Sequence, residues 1–390
     1  MDKNKNIYIM YTIVFLQGIV FYSPISTVFR QSRGLTLEQI FLLQALVSLT
    51  VIFSEVPLGY IGDKIGYKKT IILSNIILFM SKIVFYRSHS FKLFILESIL
   101  FGISVAATSG CDMALLYESK ENENSEKIFG RYNAIGSIGF LLSSIISTYF
   151  INKSFDVAVF ATIIPHGLCV VLALSLIDIK NNVNTTQNEG YFLKEISGYF
   201  SKNGIYGLLI FILFISLISQ VVHSITVFLN QVQFATVGIA FKFYGVIGAL
   251  TQVIGILGAQ TYRFTNRFGQ KKVLLFLLVL INIGIAILIF TNSAIISILC
   301  MTTISGCFTM STPIVIDIQN QSIKDNRATM LSVYSMFGNI VSLLVNIFIG
   351  KSADLSIKIS FIISLLIVFI STLGILFILY RHNNLLNKNS

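Results

Sequence analysis

Gly59-Tyr-Ile-Gly62-Asp63-Lys64-Ile-Gly66-Tyr67-Lys68-Lys69-Thr70 is a short polar turn set between two long apolar runs. Its glycines permit a tight turn close to neighbouring backbone, because a residue without Cβ takes positive φ at no steric cost. One acid is followed by three lysines, so the turn is net basic. A basic turn of this length between hydrophobic segments has the form of a cytoplasmic loop in a helical membrane protein.

The composition agrees with that reading. Of 390 residues, 55% are hydrophobic and 12% charged, and the mean hydropathy is +0.81. A soluble domain carries about twice that charged fraction. Apolar runs long enough to cross about 30 Å of hydrocarbon recur along the whole chain. The expected fold class is therefore an all-α polytopic membrane protein. The net charge of +11 is read as topology determinants spread over short loops. No nucleic-acid partner is expected, since no basic patch with interleaved aromatics stands outside the apolar runs.

Cys111, Cys169, Cys300 and Cys307 all fall in apolar segments, none at metal-ligand spacing. They read as packing residues, and no metal, disulfide or cofactor is expected. Trp is absent, so an interfacial aromatic belt must come from the 16 Tyr and part of the 33 Phe. The tail Met1–Asn6 is short and basic, but the apolar run behind it is too long for a signal peptide and is read as a retained first span. There is no phosphate-binding G-x-x-x-x-G-K-[ST], no H-E-x-x-H and no Gly-x-Ser-x-Gly. An ATP-driven or enzymatic role is not expected.

Polar breaks divide the chain into twelve expected spans. The first six are 7–29, 38–61, 70–87, 92–116, 129–150 and 155–178; the second six are 204–229, 238–262, 272–291, 294–317, 327–349 and 356–380. The one long connection is Ile179–Asn203, rich in Asn, Thr and Lys, with room for a short interfacial helix around Tyr191–Phe200. The expected organisation is thus a six-helix bundle over 1–178, a linker loop over 179–203 and a second six-helix bundle over 204–390. With both termini inside, 19 Lys and Arg fall on the cytoplasmic side and 8, Arg30 among them, on the outer side, with Lys82 inside a span. That asymmetry is the positive-inside pattern, and an odd number of spans would scramble it.

The second half repeats the first. Asn266-Arg-Phe-Gly269-Gln-Lys271-Lys272 follows Asp63-Lys-Ile-Gly66-Tyr-Lys68-Lys69 at a constant offset of 203 residues, and Arg131 is echoed by Arg327. Two parallel six-span repeats with a site at their interface form a secondary-transporter arrangement.

The turn resembles the loop motif between the second and third spans of the major facilitator superfamily, written G-x-x-x-D-[RK]-x-G-[RK]-[RK]. Gly59, Asp63, Lys64, Gly66, Lys68 and Lys69 carry the match, and Tyr67 stands where a basic residue is commoner. With twelve spans and the worn second copy, the resemblance extends over the whole chain and implies two six-helix bundles. Glu55-Val-Pro57-Leu-Gly and Ser109-Gly-Cys-Asp112-Met-Ala-Leu-Leu-Tyr117-Glu are similar to bacterial drug-efflux members of the family. Two features depart from the proton antiporters. Ser98, preceded by Glu97, occupies the place of a fourth-span Arg, and Gly136-Ser-Ile-Gly139-Phe lacks the proline of the fifth-span signature.

Ionisable groups in a bilayer cost at least about 2.5–3.5 kcal/mol each, so each needs a reason. Those inside the expected spans are Glu55, Lys82, Glu97, Asp112, His166, His223 and Asp317. The resemblance implies a gating role for Asp63 at the membrane edge, with Gly59, Lys64, Gly66, Lys68 and Lys69 around it; a local turn cap is the alternative. Asp112 is placed to pair with Arg131, either as a switch or as a static brace. Glu55, next to helix-kinking Pro57, Glu97, Asp112 and His223 are the proton-coupling candidates. Glu55 has Lys82 as an alternative neutralising partner, and Glu97 has Lys92 or the headgroups. Gln17, Tyr22, Gln220, His223, Tyr334 and Asn339 are the candidate substrate contacts.

The function expected from these residues is a monomeric secondary transporter in the cell membrane. It moves a small amphipathic molecule through the bilayer by alternating access, exporting it against a flow of protons. An uptake permease for a nutrient or chelate, and a non-transporting sensor or scaffold, are the alternatives.

Overall fold

The computed structural model describes residues 4–119, 125–178, 205–256, 261–322 and 327–381; the linker, including Tyr191–Phe200, lies outside the described residues. Every described element is helical, and no strand occurs among them. The helices are α1 (Asn4–Gly18), α2 (Ser26–Ser32), α3 (Leu37–Ile65), α4 (Tyr67–Arg87), α5 (Phe91–Thr108), α6 (Cys111–Ser119), α7 (Ser125–Lys153) and α8 (Phe155–Leu174). They continue with α9 (Ile205–His223), α10 (Asn230–Thr236), α11 (Tyr244–Ile256), α12 (Thr261–Phe268), α13 (Gln270–Phe290), α14 (Ala294–Ser322), α15 (Arg327–Leu355) and α16 (Ile357–Arg381). With no water in hydrocarbon to satisfy backbone amides, helices that satisfy their own are the available solution.

Eleven stretches of the described residues are long and apolar enough to cross a membrane, each overlapping an expected span. The expected eighth span is represented by α11 and α12, on either side of residues 257–260, which lie outside the description. Large apolar side chains such as Phe53, Phe290 and Leu355 are exposed, as helices bathed in lipid allow.

Contacts group the chain into two units, one comprising Met1–Val183 with Ile239–Gln252 and the other Asn184–Gly238 with Val253–Ser390. In the first, α3 and α4 flank α5, while α1 packs on α7 and α8. Close backbone approach between α1 and α7 depends on glycine: a Cβ on Gly18 would sit 2.6 Å from the Gly136 carbonyl oxygen. The segment that follows α8 is tied to α1 by Asn6, whose side chain donates to Ile177 O and accepts from Ile177 N–H. At the end of the unit away from the Gly59–Thr70 turn, Arg33 bridges Asp156 and the His89 ring.

The repeat visible in the sequence is also a repeat of elements. The helices Tyr67–Arg87 and Gln270–Phe290 begin and end at the same offset of 203. Each is preceded by a glycine at positive φ, Gly66 at 94° and Gly269 at 83°. Both glycines let the chain reverse between two helices with a single non-helical residue, a backbone that a side chain would strain.

Candidate functional site

The first span is broken at its middle. α1 stops at Gly18, Ser23–Ile25 forms a 3-10 turn with Pro24 in it, and α2 resumes at Ser26. Proline lacks the N–H that a continuous helix needs. Backbone groups freed inside a membrane must find other partners. Here the Phe21 N–H donates to Thr162 Oγ1 of α8 at 3.1 Å, and Ser23 N–H to Val20 O at 3.1 Å. Discontinuous helices of this kind form the binding sites of many secondary transporters.

Around the break the interior of the unit is polar. Tyr22 is buried, its ring stacked on Phe85 at 4.4 Å between centroids. Its hydroxyl accepts a hydrogen bond from Lys82 Nζ of α4 at 3.1 Å. Lys82 is only 5% exposed, and its ammonium lies 4.8 Å from the centre of the Phe101 ring. No carboxylate lies within ion-pair distance of it among the described residues. The suggested Glu55–Lys82 pair is not formed. The half-buried Glu55 accepts instead from Ser109 Oγ, at 3.4 Å. His166 of α8 is buried and close enough to Lys82 to interact through space. Since a carbonyl can only accept, its Nδ1–H is the donor to Thr162 O at 2.9 Å. About two turns nearer the Gly59–Thr70 turn along α4, Gln17 donates to Asn75 Oδ1 at 3.0 Å.

The buried acid of this unit is also paired, with a partner the sequence reading had assigned to the outer loops. Glu97 is 4% exposed, and its Oε2 lies 3.5 Å from Arg30 of α2, so neither Lys92 nor the headgroups neutralise it. Arg30 is held over the Phe85 ring, at 4.9 Å from its centre. Arg30 Nε and Glu97 Oε2 are buried without a hydrogen-bond partner, so the pair is an ionic contact with incomplete hydrogen bonding.

At the Gly59–Thr70 turn, α3 runs through Asp63 to Ile65, and the Asp63 side chain lies outside the description. Lys64 is exposed over the Tyr60 ring, Lys68 is half-buried and Lys69 exposed. A Cβ on Gly59 would meet nothing within 4 Å. Asp112 opens α6, after a break at Gly110 (φ 82°). It does not pair with Arg131: its two oxygens accept from Met113 N–H at 2.7 Å and from the Tyr132 hydroxyl at 3.2 Å. Arg131 itself is exposed. Adjacent residues on a helix point about 100° apart, so the buried neighbour Tyr132 meets Asp112 and Arg131 turns away.

In the second unit, the seventh span is irregular at the corresponding place. α9 passes into a π-helical stretch, Ser224–Leu229, before α10. Single π-helical turns are rare and frequent at functional sites. Gln220 donates to Asn346 Oδ1 at 3.1 Å, and Asn346 Nδ2 donates to Ser342 Oγ at 3.2 Å. His223, at the junction, is exposed and meets the Phe228 ring edge-on at 5.7 Å. Tyr334 is buried with its hydroxyl lacking a partner, and Asn339 is half-buried. Asp317 accepts from Gln270.

Sequence reasoning missed Arg30, Asn75, Thr162 and Asn346. The offset of 203 already relates Gln17 to Gln220 and Arg30 to Gln233, a signal that such positions face inward in both repeats.

Known proteins agree with this architecture. The family model described as Major Facilitator Superfamily matches residues 7–346. Over 142 residues the chain is 31% identical to the quinolone resistance protein NorA of Staphylococcus aureus, a match spanning 36% of each chain. The nucleoside transporter NupG superimposes with a TM-score of 0.79 at 15% identity, over 96% of this chain and 98% of NupG. A D-xylose-proton symporter superimposes with a TM-score of 0.75 at 15% identity, over 97% of this chain and 96% of the symporter. A multi-pass helical chain with paired repeats, matched by the family model over most of its length, belongs to the major facilitator superfamily.

Proposed function

We propose that this transporter exports small amphipathic compounds in exchange for protons, with Glu97 as the proton carrier. The observation that carries the proposal is the buried Arg30–Glu97 contact between the first and fourth spans. A static ion pair in hydrocarbon needs full hydrogen bonding to offset desolvation. This one leaves Arg30 Nε and Glu97 Oε2 unsatisfied, which suits a pair that is made in one state and given up in another. Protonation of Glu97 cancels the attraction to Arg30, whose charge stays shielded by the Phe85 and Phe94 rings. The α2–α5 contact is then free to shift, and the substrate site changes the side it faces.

The remaining parts are assigned accordingly. Asp63, with the basic turn around it, serves as the gate on the cytoplasmic side, where both termini also lie. The amphipathic substrate class draws support from the partial likeness to a quinolone resistance protein and from the aromatic surroundings of the broken first span. The protein works as a monomer with two six-span halves, 1–178 and 204–390, joined by the linker 179–203.

Inverted membrane vesicles test the proposal. With the lumen acidified, so that protons run outward, the wild type accumulates a fluorescent amphipathic compound, and a proton uncoupler abolishes the accumulation. Glu97→Gln loses the concentrative phase but still equilibrates the compound downhill. Undiminished accumulation by Glu97→Gln removes Glu97 from the coupling; uptake into intact cells in place of accumulation in vesicles reverses the direction and makes the protein a permease.

A further inference from the structure

Among the described residues of the first unit, Glu97 and Lys82 are the buried acid and base, and Glu97 is paired with Arg30. An ammonium in hydrocarbon costs at least about 2.5–3.5 kcal/mol, and Lys82 has no carboxylate to offset it among the described residues. Of its three N–H donors, one goes to Tyr22 Oη. The other two have no acceptor among the described residues. The fold does not need this lysine. At the offset of 203, Tyr22, Lys82 and Phe101 correspond to Ile225, Ile285 and Ile304, all 0% exposed in the second unit. The corresponding packing positions are thus filled by three isoleucines, with no charge among them.

The surroundings define what Lys82 is suited to hold. It stands beside the broken middle of the first span, where Tyr22 belongs to no α-helix. The Tyr22 and Phe101 rings flank the ammonium at 5.7 and 4.8 Å, and His166 of α8, bonded to Thr162 O, is near enough to interact with it through space. Two unused cationic donors between aromatic walls match a carboxylate carried on a flat apolar body.

We propose that Lys82 is a specificity-determining residue that receives the carboxylate of an aromatic organic acid, the two free N–H groups donating to its oxygens while the Tyr22 and Phe101 rings contact the body. This rests on the export reading for its setting, and names the substrate class of that site.

The test uses a quinolone carboxylic acid and its methyl ester with purified full-length protein, following thermal unfolding by circular dichroism. The acid stabilises the wild type at a concentration about tenfold or more below the ester, equivalent to at least about 1.4 kcal/mol of preference. Lys82→Ile, which copies the second unit, folds and loses the preference, with acid and ester alike; Lys82→Arg keeps part of it. Equal stabilisation of the wild type by the two compounds, or a preference that survives Lys82→Ile, overturns the proposal. Export of the acid and of the ester by wild-type vesicles is measured alongside. If the ester is exported but the acid shows no advantage in binding, the role of Lys82 falls while the export reading stands. If neither is exported yet the acid preference depends on Lys82, the export reading falls alone.

Discussion

The two repeats of this chain solve one packing problem with different chemistry. In the second unit, Gln233 donates to Ser297 Oγ at 3.1 Å, and Cys300 is buried, as is Ile285 of α13. At the corresponding places in the first unit stand Arg30, Phe94, Glu97 and Lys82. The neutral version shows that a bundle of this shape packs without buried charge. A buried ion pair is weak evidence for stability, because an apolar replacement of similar volume is often as stable. The charges in the first unit are therefore best explained by work done there, and the second unit serves as an internal control.

That comparison predicts its own largest effect. Arg30→Gln alone leaves the Glu97 carboxylate buried without a cation and lowers stability by about 3–5 kcal/mol, read as a drop in midpoint on unfolding in detergent. Arg30→Gln with Glu97→Cys copies the second unit and recovers most of that loss, while proton-driven accumulation stays absent. Recovery of transport together with stability would break the comparison, since the pair would then be bracing and nothing more.

The architecture was more legible in the sequence than the site. Span limits followed from apolar run length, and the single-residue turns from Gly66 and Gly269. The pairing of buried groups did not. Arg30 was counted with the outer loops because it lies near a span end, yet its side chain reaches inward to Glu97, a partner 67 residues away. Lys82 was matched to an acid by charge, whereas the structure gives it a phenol and two ring faces. Pro24 signals the break in the first span, but Ser224–Leu229 contains neither proline nor glycine, so its π-helical turn left no local mark. The repeat offset would have recovered more of this than charge matching did. It places the break of the first span and the π-helical stretch of the seventh at the same point.

The turn motif supplies a second, smaller contrast. The first copy carries Asp63 where the second carries Asn266. Asp63→Asn makes the copies alike at this position and is expected to leave under about a tenth of the transport rate, a barrier increase of at least about 1.4 kcal/mol. Expression and unfolding midpoint stay unchanged. The reverse change, Asn266→Asp, is expected to have little effect on rate. Equal losses from both changes would make the two turns equivalent and remove the asymmetric gate.

The smallest expected effect separates the two roles that surround Lys82. Tyr22→Phe keeps the ring that stacks on Phe85 and lies against the ammonium, but deletes the oxygen that accepts from Lys82 Nζ. A hydrogen bond to a charged group contributes about 1.5–3 kcal/mol, so unfolding should shift by no more than that. If Lys82 serves only packing, the loss is the same with or without ligand. If it receives a carboxylate, the acid supplies the missing acceptor, and the gap in midpoint between Tyr22→Phe and wild type narrows when a quinolone carboxylic acid is bound. The methyl ester leaves the gap open. A gap that ignores the acid would reduce Tyr22 and Lys82 to a structural pair and leave the contrast with Ile225 and Ile285 without a functional meaning.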